Sequence, residues 1–246
     1  MTDEALAVPE PVFRDDVTVE LVRSSAQDAD VLFAARVSTA GEQSLDELGK
    51  DPTRSKGLIN YLMRDRHGTP FEHNSMTFLV TAPIFVFREF HRHRSGWSYN
   101  EESGRYRELQ PVFYVPGPER KLVQKGRPGK YELFVGTAEQ QKATTAVMEA
   151  SYRQSYDAYQ AMLAEGVARE VARAVLPVGL FSSMYATCNA RSLMHFLSLR
   201  TKDERAKVPS FPQREIEMVA EQMEAHWAAL MPLTAEAFNE HGRVAP

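Results

Sequence analysis

The chain has 246 residues, a formal net charge of −4, one cysteine, and 43% hydrophobic and 25% charged residues. These values describe a chain with one sizeable core rather than a disordered one, and the acidic balance argues against a protein whose main business is coating nucleic acid. The lone Cys188 excludes an internal disulfide and a cysteine-based metal cluster.

Taken in order, residues 1–15 (MTDEALAVPEPVFRD) read as a flexible, acidic, proline-punctuated tail unlike a secretory signal. A strand is predicted over 17–23, a helix over 28–37, and a second helix opening at Asp51-Pro52 and stopping near Gly68. The polar GEQSLDEL stretch (41–48) connects the two helices. The turn HGTPFEH (67–73) leads into a strand over 76–81. A helix follows with Pro83 in its first turn and Thr81 as its cap, placing Arg88 and Arg92 one turn apart. Residues 95–105 read as a polar loop, 110–116 as extended, and 117–136 as a surface excursion. A long helix is predicted from Thr137 to Glu165, ended by Gly166, with Val147, Tyr152, Tyr159 and Leu163 on its apolar face. A short helix over 168–176, a strand over 180–188 and a helix capped by Asn189 and ending at Arg200 come next. An irregular insertion (201–212), a final helix (213–230) carrying Met218 and Met223, and a tail at 241–246 complete the chain. The elements lack regular βαβ alternation. The expected fold is therefore α+β, a helix-rich single domain over 16–240 with a small, largely antiparallel sheet. No apolar run approaches a membrane span, and the cytoplasm is the expected address.

The chemistry concentrates between Arg88 and Arg107, where five arginines and two histidines interleave with aromatic residues. Guanidinium forks match two phosphate oxygens at once and serine hydroxyls add short donors, so this pattern points to a phosphorylated ligand. Arginine recurs at Arg173, Arg191 and Arg200. Neither a G-x-G-x-x-G fingerprint, a Walker-type phosphate loop nor a G-x-S-x-G elbow is present. His91 and His93 flank an arginine, a setting hostile to a divalent cation, so no metal is expected.

Arg92-His93-Arg94, then S-Y-N-E-E-S-G-R-Y (98–106), TPFEH (69–73), APIFV (82–86), REVAR-x-VLP (169–177) and NARSLM-x-FL-x-LR (189–200) together resemble the flavin-dependent thymidylate synthases over most of residues 15–225. The resemblance implies a homotetramer with active sites shared between subunits. FAD would be held by Arg92, His93, Arg94, Glu101, Asn189, Ala190, Arg191 and His195, with Thr69 from a neighbouring subunit. It implies dUMP held by Glu89, Phe90, His91, Arg92, Glu101, Glu102, Ser103, Gly104, Arg105 and Arg173. Arg200 would face the uracil, and Arg200 and Ser103 would be the catalytic residues. The family takes its one-carbon unit from 5,10-methylenetetrahydrofolate and its reducing equivalents from NADPH. Such an enzyme needs no cysteine nucleophile, which fits Cys188 as a small packed residue.

Three departures from the family pattern stand out. Eight residues, one more than usual, separate Arg94 from Ser103, position 195 is histidine where asparagine is common, and no histidine follows Arg200 within 201–212. Outside the resemblance, His73 reads as a turn residue, His67 as equally a turn or a flavin neighbour, and Arg169 as a surface or ion-pair residue. Arg88 and Arg107 read as ion-pair partners, and Trp97 as an aromatic packing on its own subunit. Two other functions are compatible with these residues: a single-stranded nucleic-acid-binding module using Trp97, Tyr99 and Tyr106 for stacking, and a different flavin-dependent uracil-methylating enzyme.

Overall fold

Capping chemistry written into the sequence sets many of the element boundaries. Asp51 accepts from the Arg54 amide, Thr137 from Gln140 and Asn189 from Ser192, so each satisfies an amide that the helix itself leaves unpaired. In this computed structural model, which describes residues 9–41, 51–127 and 130–246, the strands are β1 (Val12–Arg14), β2 (Thr18–Ser24), β3 (Met76–Pro83), β4 (Trp97–Glu101), β5 (Val112–Tyr114), β6 (Lys121–Arg127), β7 (Lys130–Val135) and β8 (Phe181–Cys188). The helices are α1 (Asp28–Ala40), α2 (Pro52–Arg64), α3 (Ile84–Phe90), α4 (Ala138–Ala164), α5 (Arg169–Ala172), α6 (Ala190–Arg200), α7 (Arg214–Leu230) and α8 (Pro232–Glu240), with tight 3-10 turns at Thr69–Glu72 and Arg173–Val175. The fold is α+β, as expected. The GEQSLDEL connection lies, but for Gly41, outside the described residues.

The described chain falls into two compact units. The first comprises residues up to Asp16, Ala82–Phe87 and Glu102–Ser182; the second, Val17–Thr81, Arg88–Glu101 and Ser183–Pro246. Each is assembled from three separated segments, so no linker or composition shift marks the division.

In the first unit, α4 turns Tyr152, Tyr156 and Tyr159 onto a core with Phe113 and Leu180. Phe113 stacks on Tyr152 with ring centroids 4.8 Å apart. The Tyr156 hydroxyl donates to the Leu109 carbonyl (3.3 Å) and burial pushes it up to about 12, while Leu109 N donates to the Tyr159 oxygen (3.4 Å). Val147, expected on the apolar face of α4, is 68% exposed; as one apolar residue off the tyrosine stripe it adds nothing to the core. The expected flexible tail at 1–15 lies mostly outside the described residues, and its last part forms β1, which pairs in parallel with β5. The surface excursion is an antiparallel β6–β7 hairpin with mostly exposed side chains.

In the second unit the strand order is β2-β3-β8-β4. β2 pairs antiparallel with β3, and β4 with β8. Thr77 bonds Thr187 and Thr81 bonds Ser183, so β3 and β8 also run in opposite senses. Thr81 is thus committed to the sheet and does not cap α3, which begins at Ile84. α7 is pinned to β2 by the Gln222 amide, which accepts from Val19 N (3.0 Å) and donates to the Val17 carbonyl (3.0 Å). The segment read as a loop at 95–105 contains β4, and the stretch after 230 contains α8. The Asp28 carboxylate of α1 accepts from Leu233 N and Thr234 N (both 2.9 Å) and so supplies the cap that α8 lacks locally. The expected tail at 241–246 is likewise packed: Arg243, Ala245 and Pro246 are buried.

Candidate active site

Within the second unit, α6 and the turn after α3 form the walls of a cleft of ≈ 420 Å³. α6 contributes Arg191, Ser192 and His195; the turn contributes Arg92, His93, Arg94 and Ser95; Glu72 and Trp97 complete the lining. The turn is built tightly. Arg92 N donates to the Glu89 carbonyl and His93 N to the Phe90 carbonyl (2.8 Å), and the Tyr99 hydroxyl reaches the His93 carbonyl at 2.7 Å. Because α3 stops at Phe90, Arg92 does not share a helical stripe with Arg88; the turn aims it instead. Gly96 has φ +69°, and a Cβ there would collide with Ser192 Oγ, so only glycine fits where the loop departs from the family pattern. The Ser192 hydroxyl donates to the Ser95 carbonyl (3.0 Å), closing that side.

The electrostatics are those of an anion site. The side chains of Arg92 and Arg94 have no ion-pair or hydrogen-bond partner among the described residues, and they are solvent-facing. Arg191 Nη1 bonds Glu72 and its Nε donates to the Pro246 carbonyl (2.6 Å). Gly68 lies against this guanidinium, since a Cβ on it would stand 2.5 Å from Arg191 Cζ. His93 is held at about 4, first by burial and then by the charge of Arg200 and of His195. His195 is also lowered, first by partial desolvation and then by Arg191. Both rings are therefore neutral near pH 7, and excess positive charge in the cleft is left for a ligand to balance.

Arg200, at the C-terminal end of α6, donates from Nε to His93 Nε2 at 3.0 Å and from Nη1 to Glu89 Oε2. It is only 16% exposed in its side chain. The bond to His93 requires an unprotonated Nε2, so the proton of the neutral ring sits on Nδ1.

The first unit holds a second cluster. The Ser103 carbonyl accepts from Tyr106 N (3.1 Å) and Arg107 N, making a turn around buried Gly104. A Cβ at Gly104 would lie 2.7 Å from Leu109 Cδ1 and 3.3 Å from Arg173 Cδ, so glycine lets Arg173 lie against this turn. Arg105 pairs with Glu170 (3.1 Å) and Arg107 with Glu102 (2.9 Å). Ser103, Gly104, Arg105 and Arg173 are thus brought together.

Other expected residues are placed differently. Phe90 is fully buried and stacks on Phe196 at 4.9 Å, so its side chain is core and not a ligand contact. His91 is exposed and does not line the cleft. Ala190 is buried with its amide committed to Asn74 Oδ1 (2.8 Å), and the Asn189 side-chain oxygen is spent as the helix cap, so neither lines the cleft. Thr69 is exposed in the 3-10 turn that ends with Glu72, and Glu101 ends β4, half-buried. Arg107 is an ion-pair partner and Arg169 a surface residue, as expected, but Arg88 is exposed and has no ion-pair partner among the described residues. Trp97 packs on its own chain against Phe196 and also lines the cleft. Glu72 and Ser192 also line the cleft, and the sequence alone does not mark either as a site residue. The only signal for Glu72 was its place in TPFEH, and Ser192 is found through the helix face it shares with His195. No group of metal-ligating side chains occurs among the described residues, and no described helix is long and apolar enough to cross a membrane.

An α+β unit carrying a cationic cleft with neutral histidines has the donor set that a phosphorylated cofactor or nucleotide requires. Comparison with known proteins is specific: the Thymidylate synthase complementing protein family matches residues 20–233. Proteins named flavin-dependent thymidylate synthase from Streptomyces avermitilis and Streptomyces coelicolor are 78% and 76% identical over 246 residues, covering all of both chains. A solved UMP/dUMP methylase, PolB from Streptomyces cacaoi bound with 5-Br dUMP, is 56% identical, covers 96% of this chain and 100% of its own, and superposes with a TM-score of 0.89. The chain belongs to the flavin-dependent thymidylate synthase family.

Proposed function

We propose that this chain converts dUMP to dTMP, with FAD bound in the cleft, 5,10-methylenetetrahydrofolate as one-carbon donor and NADPH as reductant. It works as a cytoplasmic homotetramer whose active sites are shared between subunits, without nucleic acid or membrane. The observation that carries this reading is the unneutralised Arg92/Arg94 pair beside two histidines held neutral. Such a donor set fits the phosphates of a flavin dinucleotide, with Arg191 and His195 on the opposing α6 wall. Bound FAD supplies the redox chemistry that no side chain here could perform.

The chain's own contribution is binding, orientation and charge. Arg92, Arg94 and Arg191 balance phosphate charge, and Ser192 closes the cleft wall at Ser95. Ser103, Gly104 and Arg105 offer a hydroxyl, an unobstructed backbone and a guanidinium to the nucleotide phosphate, with Arg173 adding a second cation. Arg200, held by Glu89 and His93, presents fixed positive charge to the uracil. It favours loss of the N3 proton, which makes C5 the better carbon nucleophile. Buried Cys188 takes no part. The test is the visible spectrum of the purified protein, its bleaching by NADPH, and tritium release from 5-labelled dUMP. A colourless protein that releases no tritium in the presence of added FAD overturns the reading.

The likeness to PolB favours a second reading, in which UMP is also methylated. Parallel assays with UMP and dUMP decide it.

A further inference from the structure

Among the described residues only Arg66 and Arg243 have positive φ without being glycine, at 63° and 54°. Both serve the same four residues, 243–246. Arg66 Nη1 donates to the Val244 and Ala245 carbonyls. The Arg243 side chain is 1% exposed. It grips both Glu224 carboxylate oxygens (2.6 and 2.7 Å), Asn239 Oδ1 (2.6 Å) and Thr201 Oγ1 (2.8 Å). Its backbone carbonyl and that of Met194 share the Ser198 hydroxyl (2.8 and 2.7 Å). Residue 243 is thereby tied to the end of α6 immediately after Arg200. Residue 246 is tied to the beginning of the same helix, through the Pro246 carbonyl and Arg191 Nε at 2.6 Å. Arg191 and Arg200 are nine residues apart, roughly 13 Å along a helix, a gap that residues 243–246 and the long Arg191 side chain together bridge.

We propose that residues 243–246 form a strap along α6 that positions the Arg191 guanidinium for FAD. Arg243 is its anchor, Arg66 its clamp and the Pro246 carbonyl its working end. Without the strap, Arg191 keeps Glu72 as its partner but loses the second bond that fixes the plane of its fork, and a planar, bidentate donor is useful to a phosphate only in a fixed orientation. The proposal rests on the reading of the cleft as a flavin site.

The experiment compares the full chain with a variant lacking residues 244–246 and with Arg66→Ala, each also made in an Arg191→Ala background. FAD affinity is read by flavin fluorescence quenching and folding by thermal denaturation of the apoprotein. Removal of 244–246 is expected to weaken FAD binding about tenfold, the loss of one charge-assisted hydrogen bond, and Arg66→Ala to weaken it by a smaller factor. In the Arg191→Ala background neither change should weaken binding further. Unchanged FAD affinity in the folded variants, or the same loss with and without Arg191, overturns the strap. If the deletion does not fold, Arg66→Ala alone decides by the same two criteria. Failure of the unaltered chain to bind FAD overturns the flavin reading itself, and the strap with it.

Discussion

Arg200 Nε lies 3.0 Å from His93 Nε2, with the guanidinium donating and the imidazole accepting. A residue assigned to the uracil and a residue assigned to the flavin are therefore one hydrogen-bonded unit, completed by Glu89 on the other side of the guanidinium. Two groups of one segment, Glu89 and His93, hold the charge of Arg200 from a segment distant in sequence, and the arrangement works only while His93 is neutral.

Arg200→Ala should keep FAD bound while lowering kcat by about 10²–10³, the usual loss when one preorganised electrostatic contact is removed. Flavin absorbance after gel filtration and tritium release from labelled dUMP check the two halves. Near-normal turnover would remove the assigned role.

His93 supplies a pH dependence. Its ordinary value of 6.5 is lowered to about 4 in the folded chain, so the unfolded chain takes up the proton first as pH falls. Folding stability is therefore undiminished above 6.5 and declines as pH falls from 6.5 towards about 4, where protonation also removes the acceptor for Arg200. Thermal denaturation across this window should show a steeper decline for the native chain than for His93→Gln. Equal slopes would mean that His93 is not the titrating group.

Gly104→Ala tests the cluster of the first unit. The added methyl meets Leu109 and the Arg173 stem, so the KM for dUMP should rise, by about tenfold if one phosphate contact is displaced. Ser103→Ala should weaken dUMP binding or turnover in the same assay. FAD affinity should be unchanged in both variants.

Cys188 is 3% exposed and its thiol is pushed up by burial, so no thiolate nucleophile is available. Cys188→Ala should retain activity and lose about 1 kcal/mol of stability from the small void created. A folded variant with no chemistry would revive a cysteine mechanism.

Much of the architecture is legible locally. Asp51, Thr137 and Asn189 cap as their residue types predict, and Gly166 ends α4 with φ +77°. The strand β4 was also legible in principle: Trp97, Tyr99 and Glu101 alternate with exposed Ser98 and Asn100, a period of two that the polar composition of the loop hid. The helix α8 announces itself only by Pro232, because its cap, Asp28, lies 205 residues away in sequence from Leu233.

By itself the sequence determined the α+β class, the family and the arginines of the candidate site, because caps, periodicity and motif chemistry act over a few residues. Only the tertiary structure decided which of those arginines stay unneutralised, that Phe90 is core, that the proton of His93 sits on Nδ1, and that the last four residues lie along α6. Each of these depends on a partner drawn from a distant segment, and a partner's distance in space is not encoded by spacing along the chain.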